Sequence, residues 1–173
     1  MSAVDLQNYI RDIPDFPEPG IIFRDITPLL KDHGAFRHVV EQMAEEARSS
    51  KTEAIVGIES RGFIFGCPVA LELGVPFIPV RKPGKLPSER MSVEYSLEYG
   101  DSQLDIHQDA LKPGQRAFII DDLLATGGTA LATAKLVELV GGKVAGFAFA
   151  IELSALEGRK TLESYDIATL LRY

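Results

Sequence analysis

The stretch FIIDDLLATGGT, residues 118–129, decides the fold of this chain. An apolar strand runs into two carboxylates and then into a glycine turn that opens a helix. In open α/β sheets, ligands bind beyond the carboxyl ends of the strands, and the first N–H groups of a helix attract an anion. The stretch therefore predicts a phosphate site formed by Ala125, Thr126, Gly127, Gly128 and Thr129.

The two carboxylates in this stretch are Asp121 and Asp122. Strand side chains alternate between faces, so we expect the pair not to form a close acid/base dyad. The spacing of the two carboxylates is better suited to binding the two hydroxyls of a sugar than to acid/base catalysis. The alternative is an Asp-rich helix cap beside a glycine turn, with no ligand.

Short apolar runs alternate with helical patterns along the chain. The runs predict strands covered on both faces at residues 54–58, 76–80, 117–120 and 144–151. The helical patterns cover residues 34–48, 62–73 and 129–140. Strand then helix, repeated, predicts an α/β fold with a mostly parallel, twisted sheet flanked by helices.

Two further segments lie outside this alternation. Residues 91–99 and 103–106 alternate polar and apolar side chains around a Gly-Asp turn, which predicts a β-hairpin. Residues 16–28 are rich in proline and apolar side chains and too irregular for a helix, so we expect an extended hood over the sheet. The C-terminal stretch 155–173 predicts only a short helix and a strand.

The overall composition bounds the class of protein. A chain of 173 residues with 46% hydrophobic and 25% charged residues predicts one soluble domain, residues 1–173. A net charge of −7 argues against a broad nucleic-acid surface, and no apolar run is long enough to span a membrane. Without a signal-like N-terminus we expect a cytoplasmic protein. The one cysteine, Cys67, is expected to be a small buried hydrophobe.

Two other segments predict anion sites at the same sheet edge. Residues 57–63, GIESRGF, form a strand-to-helix turn in which Ser60 and Arg61 can hold a phosphate, although a plain serine N-cap would look the same. Phe63 stands where an ATPase loop needs lysine. After the next strand, Arg81, Lys82 and Lys85 lie in a loop broken by proline and glycine, which is either an anion trap or a solvated basic loop.

Together these motifs resemble the type I phosphoribosyltransferases. The resemblance rests on the DDLLATGGT turn, on ESRGF at 59–63, on RKPGKLP at 81–87, on YSLEYG at 95–100 and on the hood, and it covers nearly the whole chain. It implies that family's fold, with a hood at about 12–30 and a flexible catalytic β-hairpin loop at about 81–106. It is closest to members that act on adenine, and so implies transfer of 5-phosphoribosyl from phosphoribosyl pyrophosphate to adenine, giving AMP and pyrophosphate in purine salvage.

The resemblance also assigns roles. It places the pyrophosphate on Ser60, Arg61, Arg81, Lys82 and Lys85, and the ribose diol on Asp121 and Asp122. Mg²⁺ would be carried mainly by substrate oxygens, with those aspartates in support. Arg61 and Glu98 would be catalytic, Glu98 handling the proton of the purine. Adenine would stack on Phe23 and be recognised by backbone groups of Ile22 and Arg24. The family resemblance further implies a homodimer.

Three other interpretations remain open. Base choice rests on few contacts, so the substrate could be hypoxanthine, guanine or another base. A non-catalytic nucleotide sensor of the same fold is a different class, although no helix-turn-helix pattern precedes the core. Glu98 could also be an ordinary surface residue on a hairpin.

Overall fold

The computed structural model describes residues 4–97 and 100–173. Its central element is a five-stranded sheet in the order β4-β3-β7-β8-β9, with every neighbouring pair parallel. The strands are β3 Ala54–Ile58, β4 Phe77–Val80, β7 Arg116–Leu124, β8 Lys143–Glu152 and β9 Ile167–Arg172. The fold class predicted from the sequence is confirmed.

Helices cover both faces of the sheet. They are α1 Thr27–Lys31, α2 His33–Ser49, α3 Arg61–Leu73, α4 Gly128–Leu139 and α5 Gly158–Thr161. The side chains of β7 divide the core between the faces: Phe118 and Ile120 pack with α2 and α3, while Ala117 and Ile119 pack with α4. Burying each large side chain contributes roughly 1.5–3 kcal/mol, which holds the strand ends in fixed positions.

Two small antiparallel sheets stand beside the central one. The first pairs β1 Arg11–Pro14 with β2 Ile22–Asp25. The second pairs β5 Arg90–Leu97 with β6 Gly100–His107, which confirms the predicted hairpin, although Gly100 and Asp101 belong to the second strand and not to the turn. Leu104 and Ile106 of β6 are buried in the same core as α4. The hairpin is therefore anchored on the α4 face of the sheet.

Two expectations need correction. The segment at 16–28 is not wholly irregular, because Ile22–Asp25 pairs as a strand and α1 begins at Thr27, where Asp25 accepts hydrogen bonds from both the N–H and the hydroxyl. Cys67 is exposed rather than buried. Helix α3 buries Phe65, Gly66 and Val69, and Cys67 lies on its outer side.

Candidate functional site

The carboxyl ends of β3 and β7 open into one cavity of about 500 Å³. Its walls include the helix starts that follow those strands and part of the hairpin. The predicted site residues that line it are Ser60, Arg61, Lys82, Asp121, Asp122, Ala125, Thr126, Gly127, Gly128 and Thr129. The structure therefore brings together the two predicted strand-to-helix turns, the aspartate pair and, from the basic loop, Lys82.

The turn between β7 and α4 has an open helix N-terminus. Gly127 occupies the N-cap position with a φ of 86°, a left-handed conformation that favours glycine, and makes no side-chain cap. A Cβ there would lie 2.8 Å from the Gly158 carbonyl oxygen. The first N–H groups of α4 are thus left to a ligand, and glycine is required by both conformation and space.

The aspartates interact more closely than strand alternation predicted. Asp121 Oδ1 accepts the N–H of Asp122 at 2.9 Å, which keeps its carboxylate beside that residue. Burial raises the pKa of Asp121 well above its usual value, and the charge of Asp122 raises it further. We expected the pair not to form a close acid/base dyad; within β7 the Asp121 carboxylate instead turns toward the N–H of Asp122, and the two carboxyl groups affect each other's pKa.

Arg61 connects the aspartates with the hood. Its Nε lies 2.9 Å from Asp122 Oδ2, and its guanidinium lies 5.7 Å from the centre of the Phe23 ring. Burial raises the pKa of Asp122, and Arg61 opposes that shift. Ser60, at the N-cap of α3, makes no capping hydrogen bond with its side chain, so its hydroxyl is not used as a plain helix cap. The Glu59–Ser60 peptide bond is cis.

The basic segment that follows β4 is partly neutralised. Arg81 donates to both carboxylate oxygens of Glu59, at 3.2 and 3.3 Å, and the Lys82 N–H donates to the same group at 2.9 Å. Burial acts to raise the pKa of Glu59, but these hydrogen bonds outweigh it and hold the pKa below its usual value. Lys82 lines the cavity, whereas Arg81 and Lys85 lie outside its lining.

The hood residues also lie outside the lining of this cavity. Phe23 is half-buried and meets Phe16 edge-on, with ring centroids 5.2 Å apart. Arg24 pairs with Asp12 and stacks on the Tyr173 ring at 3.9 Å. The hood approaches the predicted phosphate sites through Phe23, which lies against Arg61. Glu98 lies outside those residues.

Sequence reasoning missed several residues of the site. Tyr95 and Ser102 line the cavity from the hairpin, and the Tyr95 hydroxyl lies 3.4 Å from the Thr129 hydroxyl. Alternation along β5 could have suggested Tyr95, since it shares a face with Met91 and Val93. Gly158 and Thr161 pack against the glycine turn from outside the cavity, and no motif in the sequence indicates them.

The fold and the site define a class of protein. The family model for the phosphoribosyl transferase domain matches residues 29–170. The chain belongs to the phosphoribosyltransferase family. No helix in the described part of the chain is long and apolar enough to cross a membrane.

Particular relatives sharpen this assignment. The chain is 56% identical over 173 residues to adenine phosphoribosyltransferase from Desulfitobacterium hafniense, covering 100% of both chains. It is 57% identical over 170 residues to the enzyme of that name from Carboxydothermus hydrogenoformans, covering 98% of this chain and 100% of the relative.

Solved structures agree. The adenine phosphoribosyltransferase of Thermoanaerobacter pseudethanolicus superposes with a TM-score of 0.94 at 54% identity, covering 97% of this chain and 98% of that one. The Saccharomyces cerevisiae enzyme, complexed with adenine and an iminoaltritol bisphosphate, has a TM-score of 0.89 at 39% identity, covering 95% and 96%.

Proposed function

We propose that this protein transfers the 5-phosphoribosyl group of phosphoribosyl pyrophosphate to adenine, releasing AMP and pyrophosphate. The observation that supports it best is the single cavity in which an uncapped helix N-terminus, two carboxylates and the Ser60–Arg61 turn meet. A sugar with phosphates at both ends needs such an arrangement. The yeast relative binds adenine, and the other relatives are named for the same reaction.

The substrate is assigned to the cavity by chemistry. The 5-phosphate accepts hydrogen bonds from the turn at 125–129, and the ribose hydroxyls donate to Asp121 and Asp122. The pyrophosphate lies near Ser60, Arg61 and Lys82, with Arg81 and Lys85 at its outer side. Backbone N–H groups at one end of the cavity, cations at the other and carboxylates between them set the direction of the substrate.

Catalysis in this proposal consists mainly of stabilising charge. The bond between the anomeric carbon and the pyrophosphate oxygen breaks, and a bond to the purine nitrogen forms while that nitrogen loses its proton. Cations such as Arg61 and Lys82 stabilise the leaving pyrophosphate, and closure of the hairpin loop excludes water. Glu98 receives or stabilises the purine proton.

Mg²⁺ fits this site as a companion of the substrate. Magnesium prefers oxygen ligands and keeps several waters, so substrate oxygens and one or two carboxylates suffice. Burial raises the pKa of both Asp121 and Asp122 and Arg61 only partly opposes the shift, so a cation would be favourable beside these carboxylates. When bound, the metal would neutralise charge on the pyrophosphate.

Adenine is assigned to the hood. Antiparallel strands alternate between hydrogen-bonded and non-hydrogen-bonded pairs. Pro14 has no N–H, so its pair with Ile22 is of the second kind and the pair of Ile13 with Phe23 is of the first. The backbone groups of Ile22 and Arg24 therefore point to the other edge of β2. The pairings of the described residues place no strand on that edge. These backbone groups are free to recognise the edge of a base, with Phe23 and Arg61 beneath it.

The domain boundaries and the oligomeric state of the chain are proposed from the family resemblance. We assign the whole chain to one domain, with the hood at about 12–30 and the flexible loop at about 81–106. The family resemblance supports a cytoplasmic homodimer. Sedimentation of the purified protein would measure the mass and decide between monomer and dimer.

Pyrophosphate release tests the reaction. With phosphoribosyl pyrophosphate and Mg²⁺, we expect release with adenine and little with hypoxanthine, guanine or orotate in separate assays. Turnover with another base would refute the assignment of the hood, and binding without turnover would indicate a nucleotide sensor. The variants Arg61→Ala and Glu98→Gln should abolish turnover, and near-normal rates would refute those two roles.

A further inference from the structure

The short helix α5 packs against the outer side of the glycine turn. The Thr161 hydroxyl donates to the Thr126 carbonyl oxygen at 2.7 Å. A Cβ on Gly127 would lie 2.9 Å from Thr161 Cβ, and a Cβ on Gly158 would lie 2.3 Å from the Ala125 carbonyl oxygen. The turn and α5 are therefore in tight contact, with glycine at both points of closest approach.

Helix α5 is itself fixed to the sheet by a partly buried ion pair. Arg159 Nε donates to both oxygens of Glu152, at 2.9 and 3.0 Å, at the carboxyl end of β8. The same guanidinium donates to the Ile167 carbonyl at 3.3 Å and to the Thr169 hydroxyl at 3.0 Å. Glu152 is only 5% exposed. Two neighbouring strands thus hold α5 in one position.

The hydrogen bond from Thr161 determines where one amide points. A trans peptide unit is planar, and its C=O and N–H point in opposite directions. Because the Thr126 carbonyl points out of the site toward Thr161, the N–H of Gly127 in the same peptide points to the opposite side. Gly127 lines the cavity. Its N–H is therefore directed toward the place assigned to the 5-phosphate.

We propose that Thr161 is a positioning residue for phosphate recognition, held in place by the Glu152–Arg159 ion pair. Its hydroxyl keeps the peptide between Thr126 and Gly127 in the orientation that presents the Gly127 N–H to the phosphate. This inference rests on the proposed function, since it concerns the same cavity. Without the hydroxyl, that peptide is free to rotate and the amide is lost to the ligand part of the time.

The test replaces the hydroxyl at constant shape. Thr161→Val should raise the KM for phosphoribosyl pyrophosphate about fivefold, the equivalent of one hydrogen bond of about 1 kcal/mol. The KM for adenine and kcat should stay within about twofold, because neither depends on this amide. Thr161→Ser, which keeps the donor, should restore the wild-type KM, and a merely structural role would not produce this pattern.

The matched control is Thr52→Val, since the buried Thr52 hydroxyl makes no hydrogen bond within the described structure. It should leave every kinetic constant unchanged. If Thr161→Val fails to fold, Thr161→Ala removes the same donor without a branched side chain and is measured instead. An unchanged KM in a folded variant, or equal losses for both substrates, overturns the proposal. Failure of the wild-type protein to release pyrophosphate refutes the proposed function instead.

Discussion

Two turns leave the same edge of the sheet, and they present opposite solutions for binding an anion. The turn at 125–129 carries no charged side chain and offers backbone N–H groups at a helix start. The segment at 81–90 carries four cations, yet Arg81 is paired with Glu59 and Arg90 with Asp105. All five residues of the neutral turn line the cavity, whereas Lys82 is the one cation of the basic segment in its lining.

The difference shows that the number of cations in a segment does not predict how many of them are available to bind an anion. Asp105 is fully buried and also accepts hydrogen bonds from Ser92 and Gln103, so Arg90 serves the base of the hairpin. Backbone amides at a helix start cannot be neutralised in this way, because only a ligand or a side-chain cap reaches them. Breaking each turn should therefore have very different effects.

The largest effect is expected from Gly127→Ala. A left-handed alanine costs roughly 1–2 kcal/mol, and its Cβ would also collide with the Gly158 carbonyl, so kcat/KM should fall about 100-fold or more. The control is Gly114→Ala, where φ is 75° and no atom lies within 4 Å of the added Cβ. It should lose stability but keep its activity. Equal activities in the two variants would contradict the role of the turn.

Asp121→Asn should lower activity and raise stability. Losing one charge-assisted hydrogen bond, about 1.5–3 kcal/mol, lowers kcat/KM roughly 10- to 100-fold. The pKa of Asp121 is raised in the folded protein, so its contribution to stability is full below the usual aspartate pKa and is lost as pH rises through the raised pKa.

Asparagine is uncharged, like the protonated carboxyl. The stability of the Asp121→Asn variant relative to the wild-type protein should therefore increase with pH. Thermal unfolding from acid to neutral pH should give similar Tm values for both proteins near pH 4 or below, with the variant more stable at pH 7. A variant less stable at neutral pH would show that the Asp121 charge is well compensated without ligand.

The two lysines of the basic segment allow the effect of position to be separated from the effect of charge. Lys82→Ala should raise the KM for phosphoribosyl pyrophosphate about 10-fold, since Lys82 lines the cavity and its charge meets the ligand. Lys85→Ala removes the same charge outside that lining and should cost only about 2-fold, as a screened contribution. Steady-state kinetics at two salt concentrations would compare them. Equal losses would mean that the segment acts only as a diffuse positive field.

Among the residues that line the cavity, the smallest effect is expected from Tyr95→Phe. Its hydroxyl lies near that of Thr129 across the cavity, so its loss should change the KM for phosphoribosyl pyrophosphate about 2- to 3-fold. Tyr165→Phe is the matched control, because its hydroxyl donates to Glu138 on the far side of α4. A larger effect in the control than at Tyr95 would place the hairpin outside the phosphate site.

The parallel sheet and its main helices could be predicted because their apolar runs reflect burial on both faces. The turn at 125–129 could also be predicted, since glycines and threonines between a strand and a helix indicate a phosphate site. The coupling of Asp121 with Asp122 could not be predicted, because alternation along a strand does not show that the Asp121 carboxylate accepts a hydrogen bond from the N–H of the next residue. The pairing of Arg81 with Glu59, 22 residues away, could not be predicted either, because it depends on β3 and β4 being neighbours in the sheet.

The sequence by itself determined the α/β architecture, the glycine turn and the family, because local patterns and short motifs carry those signals. The pairing of the cations, the mutual pKa effects of the aspartates and the support of the glycine turn by α5 all depend on the tertiary fold. Thr161 lies 35 positions from Thr126 and belongs to no motif. They meet because β7 and β8 are neighbours in the sheet, and a contact between chain segments leaves no periodic signal in either one.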